Sequence, residues 1–524
     1  MNDLSHRGDA FDLDRWLQRV LMIVLAASVC WFVVKTIHWP LTGDASLMHY
    51  VSFLMDHGRA PYRDIGDINL PVSYAPAWVV SHLFGAGSLP WRIYDFALLL
   101  VAGIAMYFIA KPYGVFPAVW AGSLFALIHG RDGLLQVGQR DLLVAVLLVV
   151  GVALLFCARR REHHWLAVGF GGCVGFATMI KPVFAAFLLL VLVDYLAQRK
   201  TDKAAVRMAW LSVLGWLGPV LGCALWLRAK GSLAAFWYDV SIVGPYHERI
   251  GHAPTRFLLS NSVSPIGWLI AAWIVMRLAM LARADGCDAL DVPVAQERRL
   301  LLIAAALGYL AYLVQQRGYP YHRYTFQVFL LLVLALDFAD ALRSVGRVRW
   351  LSGVALVWGA LVLAPVSAVK AGRYEWQQRP FRAALEADLL HVERKRGVAS
   401  LDGRVECLDS ISGCVAALDD MHVVEDERVM YDEFLFNPGG ARVVDETRAN
   451  FLAEVEKDPP LAFVESAPLF PAGPDGYKKL DQWPQFRDWL CAHYSLEEDR
   501  TFTVAVREAG KATVPPGYRI YVRK

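Results

Sequence analysis

Long apolar runs constrain this chain more than any other feature. Stretches of about 17–23 mostly apolar residues recur along its first 370 positions, each long enough to cross a hydrocarbon core of ~30 Å. They fall near residues 17–37, 91–110, 113–129, 141–157, 164–180, 182–197, 207–228, 264–283, 300–315, 324–342 and 350–368. That is about eleven crossings by the usual length of a membrane helix. The 524 residues are 56% hydrophobic and 19% charged, against roughly 25% charged in a typical soluble domain. The expected class is an α-helical polytopic membrane protein. Met1–Gln18 mixes both signs of charge and lacks the basic start and short apolar core of a cleaved leader, so the first span is expected to be retained.

Basic residues set the expected orientation. Arg159-Arg160-Arg161, Arg199-Lys200 with Lys203, Arg283 with Arg298-Arg299, and Arg343 with Arg347 crowd short loops on one side, which the positive-inside bias makes cytoplasmic. The reading turns on His164–Ala197. At 1.5 Å per residue this stretch would be a helix of roughly 51 Å, too long for one crossing and barely enough for two. Lys181-Pro182 stands at its middle, where proline breaks a helix. Two short passes meeting at the outer face keep every basic cluster inside.

The outer loops are then 38–90, 130–140, 229–263 and 316–323, and residues 371–524 form an extracytoplasmic soluble domain. That segment holds 20 Lys+Arg and 27 Asp+Glu, a net of −7, which leaves +10 for the membrane half. Tyr518-Arg519-Ile520-Tyr521-Val522 and Leu461-Ala462-Phe463-Val464 read as strands, and Trp483 to Tyr494 as an amphipathic helix behind a proline. The domain is expected to be α/β or α+β. It shows no Walker loop, dinucleotide-binding glycine pattern, HExxH or CxxC. Cys407 and Cys414 lie seven apart, where a disulfide is one alternative in an oxidising compartment. Cys30, Cys157, Cys173 and Cys223 sit in or beside the spans as small packing residues.

The outer loops collect an unusual set of polar groups. Asp44 follows the first span in Thr42-Gly43-Asp44-Ala45-Ser46, and the same loop supplies His49, Arg59, Arg63, Asp64 and Asp67. The second loop runs His129-Gly130-Arg131-Asp132 to Gly138-Gln139-Arg140-Asp141. Lys181, then Tyr246-His247-Glu248-Arg249, then Gln315-Gln316-Arg317-Gly318-Tyr319-Pro320-Tyr321-His322-Arg323-Tyr324 complete it. Each has an ordinary explanation: Asp141 favours a helix N-terminus, Lys181 snorkels, Asp64 and Asp67 organise a turn. Cations on the outer side nevertheless run against the topology bias. A phosphate-bearing ligand explains them, because Arg and Lys are its usual partners.

The order of these motifs resembles a known family. An acidic residue after the first span precedes Gly58-x-x-Pro61-Tyr62-x-Asp64 and Asn69-x-Pro71. Asp141 opens the fourth span, a Gly-rich span ends in Lys181-Pro182, and the outer C-terminal domain closes on Tyr518-x-x-Tyr521. The chain resembles GT-C glycosyltransferases of the protein mannosyltransferase and aminoarabinose transferase type. The resemblance implies a bacterial inner-membrane enzyme that moves a sugar from a polyprenyl-phosphate donor to a glycan, lipid or protein acceptor on the periplasmic side. By position, Asp44 matches the family's first-loop catalytic acid, Asp141 the acidic residue of the second outer loop, and Lys181 a basic residue after the Gly-rich span. Asp44 is followed by Ala45-Ser46 rather than a second acidic residue, which weakens the case for a metal held by adjacent carboxylates. A divalent ion is left open.

The chemistry expected is an inverting displacement. Asp44 takes the acceptor's proton, Asp141 acts beside it, and fixed cations meet the developing phosphate charge. Arg63, Asp64, Arg140, Lys181, Arg317, Tyr319, His322 and Arg323 are the expected substrate-binding residues. The alternative is a transporter or flippase of lipid-linked glycans, whose working charges would lie near the bilayer midplane. Within the spans the charges noted are Arg277 and Asp337. Nothing points to nucleic acid.

Overall fold

The computed structural model describes residues 5–197, 203–282, 292–344, 346–373, 378–409, 413–425, 427–466, 476–502, 507–508, 511–512 and 517–524. Arg199, Lys200 and Arg283 of the basic clusters lie outside these. The chain forms two compact units, one of residues 1–38, 92–223 and 251–373, the other of 39–91, 224–250 and 374–524.

The first unit is helical. Among the described residues six helices are long and apolar enough to cross a membrane: Asp14–Thr36, Ser88–Tyr113, Arg140–Arg160, Lys203–Ala229, Pro320–Ala341 and Arg347–Ala371. A seventh crossing exists if Thr255–Ser262 and Gly267–Leu281, bent by 71°, count as one. The other four expected spans are also helical but fall short of that combination. They are Val115–Asp132, Leu166–Thr178, Pro182–Leu188 with Leu189–Ala197, and the C-terminal part of Val292–Gln315, whose start is charged. The chain is a multi-pass membrane protein.

Tyr324–Ala341 is largely apolar and buried on nearly every face, and Val328, Leu331 and Leu334 are fully buried. A helix apolar on every face belongs inside a bundle. The Lys181-Pro182 break falls where the sequence places it. Leu166–Thr178 stops, Lys181 is extended, and Pro182 opens a tight 3-10 stretch through Leu188, since its ring cannot continue an α-helix.

The second unit carries a four-stranded mixed sheet in the order Val405–Leu408, Ala462–Ser466, Gly517–Arg523, Tyr494–Thr501. The first pair is parallel, Val405 against Ala462, and the other two are antiparallel. In the third strand Tyr518, Ile520 and Val522 are buried while Arg519 and Tyr521 are half-buried, the alternation expected of a strand with one wetter face. Phe451, Phe463, Phe486, Leu490 and Trp483 form the core between the sheet and the helices Arg442–Lys457 and Pro484–His493. Cys407 and Cys414 form a disulfide.

The loop 39–91 is knitted into this unit. The Tyr50 hydroxyl donates to the Val423 carbonyl at 3.1 Å and accepts from the Glu425 amide at 2.8 Å. Arg59 donates to the Glu425 carbonyl at 2.6 Å, and the Gly66 amide to that of Arg428 at 2.7 Å. From 224–250, His247 pairs with Glu433 and Tyr238 donates to Glu446.

Candidate active site

Both acidic residues singled out in the sequence open helices. Gly43, at φ 60°, leads into Asp44–Asp56, and Asp44 lies in its first turn, half-buried. A left-handed backbone there suits glycine and little else. Asp141 lies in the first turn of Arg140–Arg160, where a carboxylate is favoured by the helix dipole. The chain reaches it through Gly138, at φ 61°.

Within the helical unit, Asp141 meets Lys181. The Lys181 ammonium donates to Asp141 Oδ1 at 2.7 Å and to Gln315 Oε1 at 2.5 Å. The side chains of Asp141 and Lys181 are 3% and 17% exposed, so this is a largely desolvated ion pair. Asp141 Oδ2 is buried and accepts no hydrogen bond from the protein. Lys181 also stands 5.9 Å from the centroid of the Tyr321 ring. Tyr319 and Tyr321 stack at 5.3 Å, and both rings contact His322. His322 is buried with Nδ1 unbonded, and Lys181, Arg140 and Arg317 are close enough to act on it electrostatically. Asp141, Lys181, Gln315, Tyr321 and His322 thus come together from four chain segments. Arg317 packs against Gly251, which leaves no room for a Cβ at that position.

Arg323 is committed to protein partners. Its guanidinium donates to Asp132 Oδ2 at 2.9 Å, to the Asn261 carbonyl and side chain at 2.8 and 3.1 Å, and to the Pro320 carbonyl at 3.2 Å. It braces the 316–323 loop.

In the second unit, Arg63 and Asp64 pair with each other through two hydrogen bonds of 2.8 and 2.9 Å. Asp64 also accepts from the Ala60 amide at 2.8 Å, and the adjacent Arg63 holds its carboxyl below the usual range. This pair shapes the Pro61-Tyr62 turn. Asp67 is deeper: its Oδ1 accepts from the Asn69 side chain at 2.7 Å and from the Tyr431 hydroxyl at 3.0 Å. One turn along from Asp44, His49 is buried against Trp91, with its ring 4.7 Å away. Burial lowers its pKa to about 4, so it is neutral at physiological pH.

The sequence reading missed one group. Arg92 and Asp95 lie within the span expected at 91–110, so Arg277 and Asp337 are not the main charges within the spans. Both side chains are fully buried and ion-paired. Arg92 also donates to the Thr36 carbonyl and hydroxyl at 3.0 and 2.6 Å. His129 bridges Asp95, at 3.1 Å, and the Tyr324 hydroxyl, at 2.8 Å. Asp95 Oδ1 accepts from the Gly138 amide at 2.7 Å, which pins the loop leading to Asp141. An Arg-x-x-Asp pair three apart inside an apolar run was the available signal, because such spacing puts both on one helix face. Asp337, for its part, binds Arg298 at 2.8 Å and the Trp273 indole at 2.8 Å near the other end of the helices.

Among the described residues no three His, Cys, Asp or Glu side chains gather so as to hold a metal ion. Asp141 has a lysine on one oxygen, a poor start for such a site.

The fold is shared with solved membrane proteins. ArnT from Cupriavidus metallidurans, solved with undecaprenyl phosphate, superposes with a TM-score of 0.55 at 12% identity, covering 95% of this chain and 97% of that one. The archaeal oligosaccharyltransferase AglB from Archaeoglobus fulgidus, solved with an inhibitory peptide and a dolichol-phosphate, gives 0.52 at 12% identity, over 86% of this chain and 69% of that one. No family model and no curated protein matches the sequence.

Proposed function

We propose that the protein transfers a sugar from a polyprenyl-phosphate-linked donor to a glycan, lipid or protein acceptor on the extracytoplasmic side of a bacterial inner membrane. The observation that carries this reading is the desolvated Asp141–Lys181 pair with an unsatisfied Asp141 oxygen, beside the unbonded nitrogen of His322. Buried polar atoms are rarely left without a partner. An ammonium, an imidazole and a carboxylate in one place suit a phosphate ester joined to a hydroxylated ring. The solved proteins that share the fold hold polyprenyl phosphates.

In the reaction, the bond between the anomeric carbon and the phosphate oxygen breaks and the lipid phosphate leaves with the electron pair. The acceptor oxygen attacks from the opposite face, so the centre inverts. Asp44 receives the acceptor proton as general base. Lys181, with Arg140 and Arg317, meets the charge that grows on the leaving phosphate. Asp141 aims Lys181 and offers its other oxygen to a sugar hydroxyl, and His322 donates to a phosphate oxygen. Tyr319 supports the His322 ring. Arg323 holds the loop that presents these groups, and Arg63 with Asp64 holds the first outer loop.

The test is sugar transfer in membranes from a panel of radiolabelled polyprenyl-phosphate sugars. One donor should be used by the wild type. Asp44→Asn should cut transfer by roughly 10²–10⁴-fold, the range for loss of a proton-transfer group, and Asp141→Asn, which loses the carboxylate that aims Lys181, should lower it as well. Full activity in both variants would remove the site assignment. No transfer from any donor by a stable wild type would move the reading to a lipid-linked glycan transporter.

A further inference from the structure

A pocket lies wholly within the second unit, apart from the residues assigned above. It is lined by Asp67 of the first outer loop, Tyr238 and Asp239 of the 224–250 segment, and Arg428, Phe434 and Asn450 of the C-terminal part. Its cavity volume is about 60 Å³, room for several water molecules and so for part of a small ligand.

Asp239 is the feature that asks for a ligand. It is 7% exposed, and its Oδ2 accepts no hydrogen bond from the protein. A buried carboxyl oxygen left in this state costs free energy that a ligand donor would recover. Asp239 opens a wide π-type turn, Asp239–Val243, between the helices Leu233–Tyr238 and Gly244–Ile250. Such turns are uncommon and often mark functional positions. Burial lifts the Asp239 carboxyl to about 7, opposed by Arg428, so near neutrality it can donate as well as accept.

The walls narrow the ligand class. Phe434 is buried and Tyr238 half-buried, and they present aromatic surface. Asp67, Asp239 and Glu454 outnumber Arg428 among the charged lining groups, which disfavours an anion. Carboxyl groups, a guanidinium and an amide around aromatic surface match a ring that is apolar on one face and edged with hydroxyls.

We propose that this pocket receives the hydroxylated edge of an uncharged sugar ring, with Asp239 at its floor bonding ring hydroxyls, Arg428 and Asn450 bonding others, and Tyr238 and Phe434 against the part of the ring that enters. The inference goes beyond the transfer reaction and does not depend on it, since binding needs no donor lipid.

The test is saturation-transfer NMR on the full-length protein in nanodiscs. The probes are methyl glucoside, methyl mannoside, methyl N-acetylglucosaminide and methyl glucuronide. At least one uncharged glycoside should receive saturation, and the glucuronide several-fold less. Asn450 is exposed at the mouth, so Asn450→Trp should block the pocket without lowering the melting temperature, and should cut the signal at least fivefold. Asp239→Asn, nearly isosteric, should weaken it too. Absence of signal from every uncharged glycoside overturns the proposal. So does a signal unchanged in Asn450→Trp, which would place the sugar elsewhere. A failure here leaves the transfer assay untouched, and a failed transfer assay leaves the pocket untouched.

Discussion

At the scale of single residues, buried charge decides most of what can be measured. Lys181→Met would leave the Asp141 carboxylate, 3% exposed, without its cation. Breaking one side of a buried pair costs about 3–5 kcal/mol, whereas removing both is often near neutral. Thermal unfolding in detergent should therefore show Lys181→Met well below wild type and the Lys181→Met/Asp141→Leu double variant close to it. Equal losses in both would mean that the pair contributes little beyond packing.

Glu465 makes a second case. Burial raises its pKa from the ordinary 4.5 to about 7, with Lys479 opposing. A carboxyl raised by folding stabilises the native state below the unfolded value, and that contribution is lost as pH climbs through the folded one. Glu465→Gln should match wild type near pH 4.5. Above pH 7 it should exceed wild type by on the order of 3 kcal/mol, since each tenfold change in proton affinity is worth about 1.4 kcal/mol. Melting curves at pH 4.5, 6 and 8 would decide it. A constant offset between the two proteins would show that Glu465 does not titrate in this window.

At the scale of elements, the join between a strand and a helix can be tested directly. The Cys407–Cys414 bridge ties the end of a strand to the first residue of the helix Cys414–Met421. Closing so short a loop is worth about 2–3 kcal/mol by chain entropy. The Cys407→Ala/Cys414→Ala variant should lose that much, read as earlier proteolysis of the C-terminal part at rising temperature. Unchanged proteolysis would count against any structural role for the bridge.

Much of this was legible beforehand where the signal is local. The Lys181-Pro182 break, the helix behind Pro484 and the alternation at Tyr518–Val522 all follow from a few neighbouring residues. Asp141 at a helix start was legible for the same reason. What escaped was distant partnering. Asp95 joins Arg92, three residues away, but also His129 and the Gly138 amide, which lie 34 and 43 residues on. Arg323 reads as a phosphate ligand until Asp132, 191 residues away, is seen against it. Asp239 carried no motif at all, and its pocket exists only once three separated segments have folded together.

At the scale of the whole molecule, the loop 39–91 and the segment 224–250 share one compact unit with 374–524. A fragment of 374–524 expressed alone would lack Tyr50, Arg59, Asp67 and His247 as partners. It should unfold at lower temperature and be cut by protease near Val423–Phe434, where those contacts fall. Co-expression with a soluble 39–91 peptide should restore part of the protection. A fragment as resistant as the full chain would show that the C-terminal part stands on its own.

The same arrangement orders events in time. Tyr50 must find the Val423 carbonyl 373 residues later in the chain, and Arg59 that of Glu425 366 residues later. Pairings that far apart form late, because the intervening chain must first be in place. During synthesis, the loop 39–91 emerges long before its partners exist and waits while every later helix is made. The loop that carries Asp44 is therefore among the earliest parts to be made and among the last to reach its final form. A nascent chain cut short before residue 374 would carry Asp44 in a loop without the partners that hold it.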